Sequence, residues 1–419
     1  MNFSDSEIVA SVLKEAYCVI EQAQEADLIL INTCSIRDNA EQRVLKRLSE
    51  LNTLKKKNPQ LRIGMIGCMA ERMKDELFKT GKVDLVVGPD AYRDLPAILN
   101  ETADFPMNVL LSEIETYDDI EPVRYDSNGV SAFISIMRGC NNFCAYCVVP
   151  YTRGRERSRN PQTIIAEAEK LFADGYREVT LLGQNVNSFN YKGFHFASLM
   201  EAVAAVNPLL RVRFATSHPK DLSDELLAVM SRNPNICRNI HLPVQSGSDK
   251  ILQLMNRKYT REKYLDRVSQ IRKYLPDTAI STDIIAGFSN ETEEDHADTL
   301  SLMRTVGFDY AFMFKYSLRE GTAAYKNLED NVSETVKTKR LEEIITLQQE
   351  LSHQSNRADV GKEFEVLIEG ISKRSPENFY GRNSQNKVIV FPKEDRKIGE
   401  YVRVKVARCT SATLIGTII

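Results

Sequence analysis

The sequence predicts an α/β chain in three parts: an N-terminal open α/β sheet domain over residues 1–125, a central six-unit (β/α) partial barrel over 126–352, and a small all-β barrel over 353–419. Three observations carry that reading. Short apolar runs alternate with amphipathic helical stretches through the first two parts, the pattern of a parallel sheet with helical crossovers. In the middle part the alternation repeats six times, too few for a closed eight-fold barrel. In the last part a period-two pattern broken by turn residues takes over.

With 419 residues, 42% of them hydrophobic, the chain can bury a sizeable core divided among two or three domains. No apolar run is long enough to span a bilayer, and the N-terminus lacks the basic start and apolar stretch of a secretory signal. A cytoplasmic monomer with no membrane partner is expected. In a reducing cytoplasm clustered cysteines are metal ligands sooner than disulfides. The net charge of −3 gives no global attraction to nucleic acid, but residues 353–419 hold 12 Lys and Arg against 8 Asp and Glu, a balance of +4. Polyanion binding, if any, is local.

In the first part Leu28–Ile31 and Ile63–Ile66 read as strands that deliver Cys34 and Cys68 at their C-terminal ends, and Val83–Val87 reads as a third strand. Open parallel sheets place ligands at such ends. From spacing alone, Cys34, Cys68 and Cys18 each read by default as a small buried hydrophobe.

In the middle part the strands are Phe133–Arg138, Glu178–Leu182, Val212–Thr216, Asn239–Val244, Ile280–Ile285 and Tyr310–Tyr316. Amphipathic helices follow them, such as Pro161–Ala173, with Asn160 as cap and proline at the first helical position, and Glu291–Val306. The first strand ends at Cys140 to Cys147, the second at Gly183-Gln184-Asn185, the third at Ser217-His218, the fourth at Gln245-Ser246-Gly247, and the fifth at Gly287 after Asp283. Turns favour Gly, Asn and Ser for backbone reasons, so one such ending means little. Five pointing the same way mark the end of a barrel where chemistry is done. Nothing in the sequence pairs His218, His241 or Asp283 with a nucleophile, and His241 reads as a satisfied barrel polar group.

Cys140, Cys144 and Cys147 form a Cys-x3-Cys-x2-Cys run. Structural zinc takes four ligands and no fourth Cys or His lies near, whereas iron–sulfur clusters are held by close-spaced thiolates. Three ligands on a four-iron cluster leave one iron open for chemistry. Directly after the run come Arg153, Arg155, Arg157 and Arg159, which with Glu156 leave a local charge of +3. Such a stretch is either a solvated basic loop or a grip for phosphate or the carboxylate of a sulfonium compound.

A long amphipathic helix, about Glu334–Asn356, links to the last part, where Phe364–Ile368, Phe379–Gly381, Lys387–Val390, Tyr401–Ala407 and Ala412–Ile418 read as the five strands of an OB-like barrel. Residues 371–419 carry 10 basic and 4 acidic residues, a balance of +6, with Lys373, Arg374, Arg382, Lys387, Arg403, Lys405 and Arg408 among them. Phosphate contacts follow from such charge; base identity does not.

The cysteine run, Tyr146 just before its last member, and the following VVPYTRGRERSR resemble the radical S-adenosylmethionine superfamily, and within it the tRNA methylthiotransferases that act on N6-isopentenyladenosine. The resemblance covers essentially the whole chain. It implies a radical cluster on Cys140, Cys144 and Cys147, with S-adenosylmethionine held by Tyr146, Gly183, Gln184, Ser217, Gln245 and Asp283. The contexts NTCSIRDNAEQR and GCMAER imply that Cys34 and Cys68 ligate a second, auxiliary [4Fe-4S] cluster. The family's first auxiliary cysteine lies in a Gly-Cys-Gln-Met-Asn segment, and this chain begins at Met1-Asn2, so a third ligand and its strand are expected upstream; Cys18 matches no family ligand. The last part resembles the TRAM RNA-binding domain. Substrate contacts are expected from Arg153, Arg155, Lys373, Arg374, Arg403 and Lys405, and the partners implied are the tRNA anticodon stem-loop, an external electron donor and a sulfur source. Two other readings stay open: a methylthiotransferase acting on threonylcarbamoyl-adenosine or a ribosomal protein, and a non-enzymatic iron–sulfur RNA-binding protein.

Overall fold

The computed structural model describes residues 1–33, 38–100, 107–125 and 128–419, so Cys34 lies outside the described residues. Two compact units divide the chain: Met1–Asp126 with Met137–Asn160 and Arg319–Thr322, and Ser127–Ile136 with Pro161–Leu318 and Ala323–Ile419.

In the first unit β1 (Leu28–Asn32), β2 (Arg62–Ile66), β3 (Leu85–Val87) and β4 (Met107–Asn108) form a parallel sheet in that order. Strands β2 and β3 are continuous apolar runs because both sheet faces are covered; one face packs on Leu48, Met69 and Leu77, the other on Ile8, Tyr92 and Leu95. To this unit belongs the cysteine loop. Its neck is a short antiparallel pair, β6 (Met137–Arg138) against β7 (Arg157–Ser158), with Arg138 opposite Arg157.

The second unit holds the partial barrel. β5 (Ser131–Ser135), β8 (Glu178–Leu182) and β11 (Arg211–Ala215) form one parallel sheet; β12 (Asn239–His241), β13 (Ala279–Ala286) and β14 (Tyr310–Lys315) form another. A bridge between Val212 and Ile236 and a bond from the Cys237 N–H to the Val212 carbonyl join the two into an open arc. After β8 the chain forms a small hairpin of β9 (Asn190–Tyr191) and β10 (Phe194–His195). Amphipathic helices such as Pro161–Ala173 and Glu293–Val306 cover the outer face; the latter is capped by Thr292 and Asp295 and stopped by Gly307 in the left-handed region.

Behind the helix Glu334–Arg357 comes a closed five-stranded barrel of β15 (Glu363–Ile371), β16 (Asn378–Arg382), β17 (Val388–Pro392), β18 (Tyr401–Cys409) and β19 (Leu414–Ile418). It docks under the N-terminal ends of the barrel strands. Arg211, at the start of β11, donates to the Arg382 carbonyl at 2.7 Å and the Glu365 carbonyl at 3.0 Å. Arg213 donates to the Asn383 carbonyl at 2.8 Å, and the Tyr401 hydroxyl to the Arg177 and Leu209 carbonyls at 3.1 and 2.9 Å. Below β12 and β14 respectively, the Arg238 N–H donates to the Ser384 hydroxyl at 2.8 Å, and Lys387 lies 3.5 Å from Asp309.

Candidate active site

The cysteine loop is shaped by its neck and by one glycine. Gly139 has φ +78°, and a Cβ there would stand 2.0 Å from the Arg155 carbonyl oxygen, so only glycine lets the outgoing strand pass this close. The Cys140 N–H then donates to the Gly154 carbonyl at 3.1 Å and the Cys147 N–H to the Cys144 carbonyl at 2.9 Å. Cys144 is buried, while Cys140, Tyr146 and Cys147 are partly exposed. Burial pushes the Cys140 thiol up to about 11, so the iron-free loop holds this proton and metal binding releases it. A donor set of thiols alone, close in sequence, suits an iron–sulfur cluster.

Cys68 is the first residue of the helix Cys68–Thr80, reached from β2 through Gly67 at φ +86°. Arg153 donates from Nε to Cys68 Sγ at 3.0 Å and from Nη2 to Asp5 Oδ2 at 2.6 Å. Arg138 donates to Asp5 at 2.8 Å, and Arg157 to both oxygens of Asp90 at 3.0 Å. Burial works against charge on Asp5, but Arg138 and Arg153 outweigh it and hold its carboxyl at about 2. Three buried guanidinium groups thus face two buried carboxylates, with the Cys68 sulfur beside them. Asn32 Oδ1, the Tyr92 hydroxyl and Arg153 Nη1 are buried here without a hydrogen-bond partner, as is Glu71 Oε2 in the first turn of the helix. Each of these atoms has hydrogen-bonding capacity left for a group bound beside Cys68.

This arrangement corrects the expectation of a basic rim. Arg153 is 2% exposed, and Arg157 and Arg159 are buried as well, so none of the three is a surface cation that grips phosphate; Arg155 alone is exposed. Sequence reasoning missed Asp5 and Asp90. Cys18, expected to be buried, is exposed.

In the second unit the polar strand ends gather as the barrel predicts. Gln184 Oε1, Asn185 Oδ1, Asn187 Nδ2 and Ser217 Oγ are all buried without a partner after β8 and β11. Thr216 (φ +74°) and Gln245 (φ +71°) sit in the left-handed region, a strained place for a β-branched residue and uncommon for any but glycine. Gln245 is fixed there by its own N–H to the Asp283 carbonyl at 2.8 Å and by the Ile285 N–H to its carbonyl at 2.9 Å. Strain together with orphaned polar atoms at the C-terminal strand ends fits a polar ligand such as S-adenosylmethionine. His218 is buried edge-on to Tyr259, and burial first, then Arg257, pushes its imidazole down to about 2, so it stays neutral. His241 bonds Ser281 Oγ at 3.1 Å and lies 3.5 Å from Asp283, the satisfied polar group expected of it.

In the small barrel, Lys373, Arg374, Arg403 and Lys405 are exposed. Arg403 pairs with Glu363 at 3.0 Å, Arg382 with Glu369 at 2.7 Å, and Lys387 with Asp359 at 2.6 Å. The last two are thus spent on internal pairs.

Family models match in three stretches: the radical SAM superfamily over residues 134–303, an uncharacterized protein family, UPF0004, over 1–88, and the TRAM domain over 357–419. Among solved structures, the radical S-adenosylmethionine methyltransferase TsrM of Kitasatospora setae shares the fold with a TM-score of 0.57 at 14% identity, over 74% of this chain and 69% of that one. The cobalamin-dependent S-adenosylmethionine radical enzyme OxsB does so with a TM-score of 0.53 at 12% identity, over 83% of this chain and 53% of its own. Relatives named tRNA-2-methylthio-N(6)-dimethylallyladenosine synthase are far more similar: 55% identical in Bacteroides fragilis, 56% in Bacteroides thetaiotaomicron and 54% in Chloroherpeton thalassium, each over 99% of this chain and 93% of the relative. On full-length identity above half, the chain belongs to the family of the tRNA-2-methylthio-N(6)-dimethylallyladenosine synthases, and its middle part to the radical SAM superfamily.

Proposed function

We propose that the chain replaces the C2 hydrogen of N6-isopentenyladenosine, at position 37 beside the tRNA anticodon, with a methylthio group, working in the cytoplasm as a monomer supplied by an external electron donor and a sulfur source. Full-length similarity to synthases of that name carries the reading. A reduced [4Fe-4S] cluster with an open iron supplies the electron that cleaves S-adenosylmethionine to a carbon radical. Cys140, Cys144 and Cys147 would hold this cluster, and Gln184, Ser217, Gln245 and Asp283 would orient the S-adenosylmethionine. Cys68, with Cys34, would hold the auxiliary cluster, its sulfur steered by Arg153. Adenine C2–H is not acidic, which fits a site whose His218 stays neutral and whose His241 is engaged by Ser281 and Asp283. The small barrel would grip the tRNA phosphates through Lys373, Arg374, Arg403 and Lys405.

The test is direct. Replacing all three loop cysteines with alanine abolishes 5'-deoxyadenosine formation under anaerobic reduction, and the wild-type chain yields methylthiolated adenosine in isopentenylated tRNA, read by mass spectrometry of nucleosides. Reductive cleavage by the triple variant, or product only on a different substrate, overturns the reading.

A further inference from the structure

The cysteine loop buries Arg138, Arg153, Arg157 and Arg159, half-buries Phe143 and Tyr146, and exposes Tyr151 and Arg155. Tyr151 keeps 43% of its surface in water, and Arg155 is the one arginine of the Arg-x-Arg-x-Arg-x-Arg stretch that does. Both are organised by Phe143. The Tyr151 ring meets it edge-on at 6.1 Å between centroids and 83° between planes, and the Arg155 guanidinium lies over its face at 5.6 Å. Phe143 itself has φ +45°, an uncommon conformation for a bulky side chain, so the loop bears strain while this ring stands between its two neighbours. Beside the loop, Leu111 Cβ lies 4.0 Å from where a Cβ on Gly154 would be.

We infer that Tyr151, Phe143 and Arg155 form a stacking platform for an unpaired nucleobase of the tRNA next to the adenosine being modified; the inference rests on the proposed function. An aromatic ring with a guanidinium beside it is the surface that splayed single-stranded bases stack on, one face supplying π-contact and the cation answering the phosphate. The adenosine must approach the loop that carries the cluster ligands, so its neighbours in the anticodon loop meet the exposed side chains of that same loop.

The experiment uses the full chain and an isopentenylated anticodon stem-loop carrying 2-aminopurine beside the target adenosine. Tyr151 is exposed, so its replacement leaves the fold intact. Binding to the wild type changes the 2-aminopurine fluorescence; Tyr151→Ala weakens binding roughly tenfold and abolishes the change, while Tyr151→Phe restores both. Arg155→Ala weakens binding and lowers the salt slope by about 0.7, the share of one single-strand phosphate, whereas Tyr151→Ala leaves the slope unchanged. Equal affinity and fluorescence in Tyr151→Ala, with a wild type that binds and modifies the RNA, overturns the platform alone. So does loss of S-adenosylmethionine affinity with RNA binding intact. A wild type that neither binds nor modifies the stem-loop overturns the proposed function and the platform with it.

Discussion

Arg153 and Cys68 are 85 residues apart in sequence, yet Arg153 Nε donates to Cys68 Sγ at 3.0 Å. One guanidinium therefore ties the cysteine loop to the thiol heading the helix Cys68–Thr80. Arg153→Met removes the sulfur's donor and leaves Asp5 with Arg138 as its remaining arginine. Breaking a buried pair from one side costs about 3 kcal/mol, so the urea midpoint should fall with the slope unchanged. Arg153→Lys should recover part of the loss, since an ammonium lacks the planar fork that meets sulfur and carboxylate together.

Asp5 and Glu71 give the first unit opposite responses to acid. Asp5 is held at about 2, below its ordinary 3.8, so its contribution is whole above that ordinary value and drains away as pH falls toward 2. Burial lifts Glu71 to about 7 from 4.5, so the stability of its protonated form is present below 4.5 and is lost as pH rises through 7. Glu71→Gln should flatten that decline. Thermal midpoints of the iron-free chain from about pH 5 to about pH 8 should fall more for the wild type than for the variant.

Ser217 has a buried hydroxyl with no partner. Removing an unsatisfied group costs the ligand-free protein little, whereas its loss is felt once a ligand would have bonded it. Ser217→Ala should leave the thermal midpoint without ligand unchanged or slightly raised and reduce the shift produced by S-adenosylmethionine.

Lys373 and Arg374 are exposed cations of the small barrel. Replacing both with glutamate should weaken tRNA binding and lower the salt slope by nearly two, by filter binding across a salt series.

Much of this fold was legible. Helix Pro161–Ala173 and strand Glu178–Leu182 coincide with the periodicity reading to the residue, because capping and apolar pattern agree there. The first barrel strand, read as Phe133–Arg138, instead breaks at Ile136, since Met137 and Arg138 leave the barrel to pair with β7. The fourth, read as Asn239–Val244, ends at His241, just short of Pro243, which has no N–H to give a ladder. β4, two residues long, is too short to carry a period. The cysteine loop announced itself by spacing. Its buried acids did not: Asp5 and Asp90 look like surface residues until partners 133 and 67 positions away close over them. Thr216 and Gln245 occupy conformations for which a sequence reader would have looked for glycine.

The docking of the small barrel beneath the strand starts sets a reach. Strands of five or six residues rise about 17–20 Å, so the small barrel and the polar strand ends lie on opposite sides of a layer of that height. On the proposed function, an RNA shorter than that span would offer its adenosine to the strand ends without reaching the small barrel.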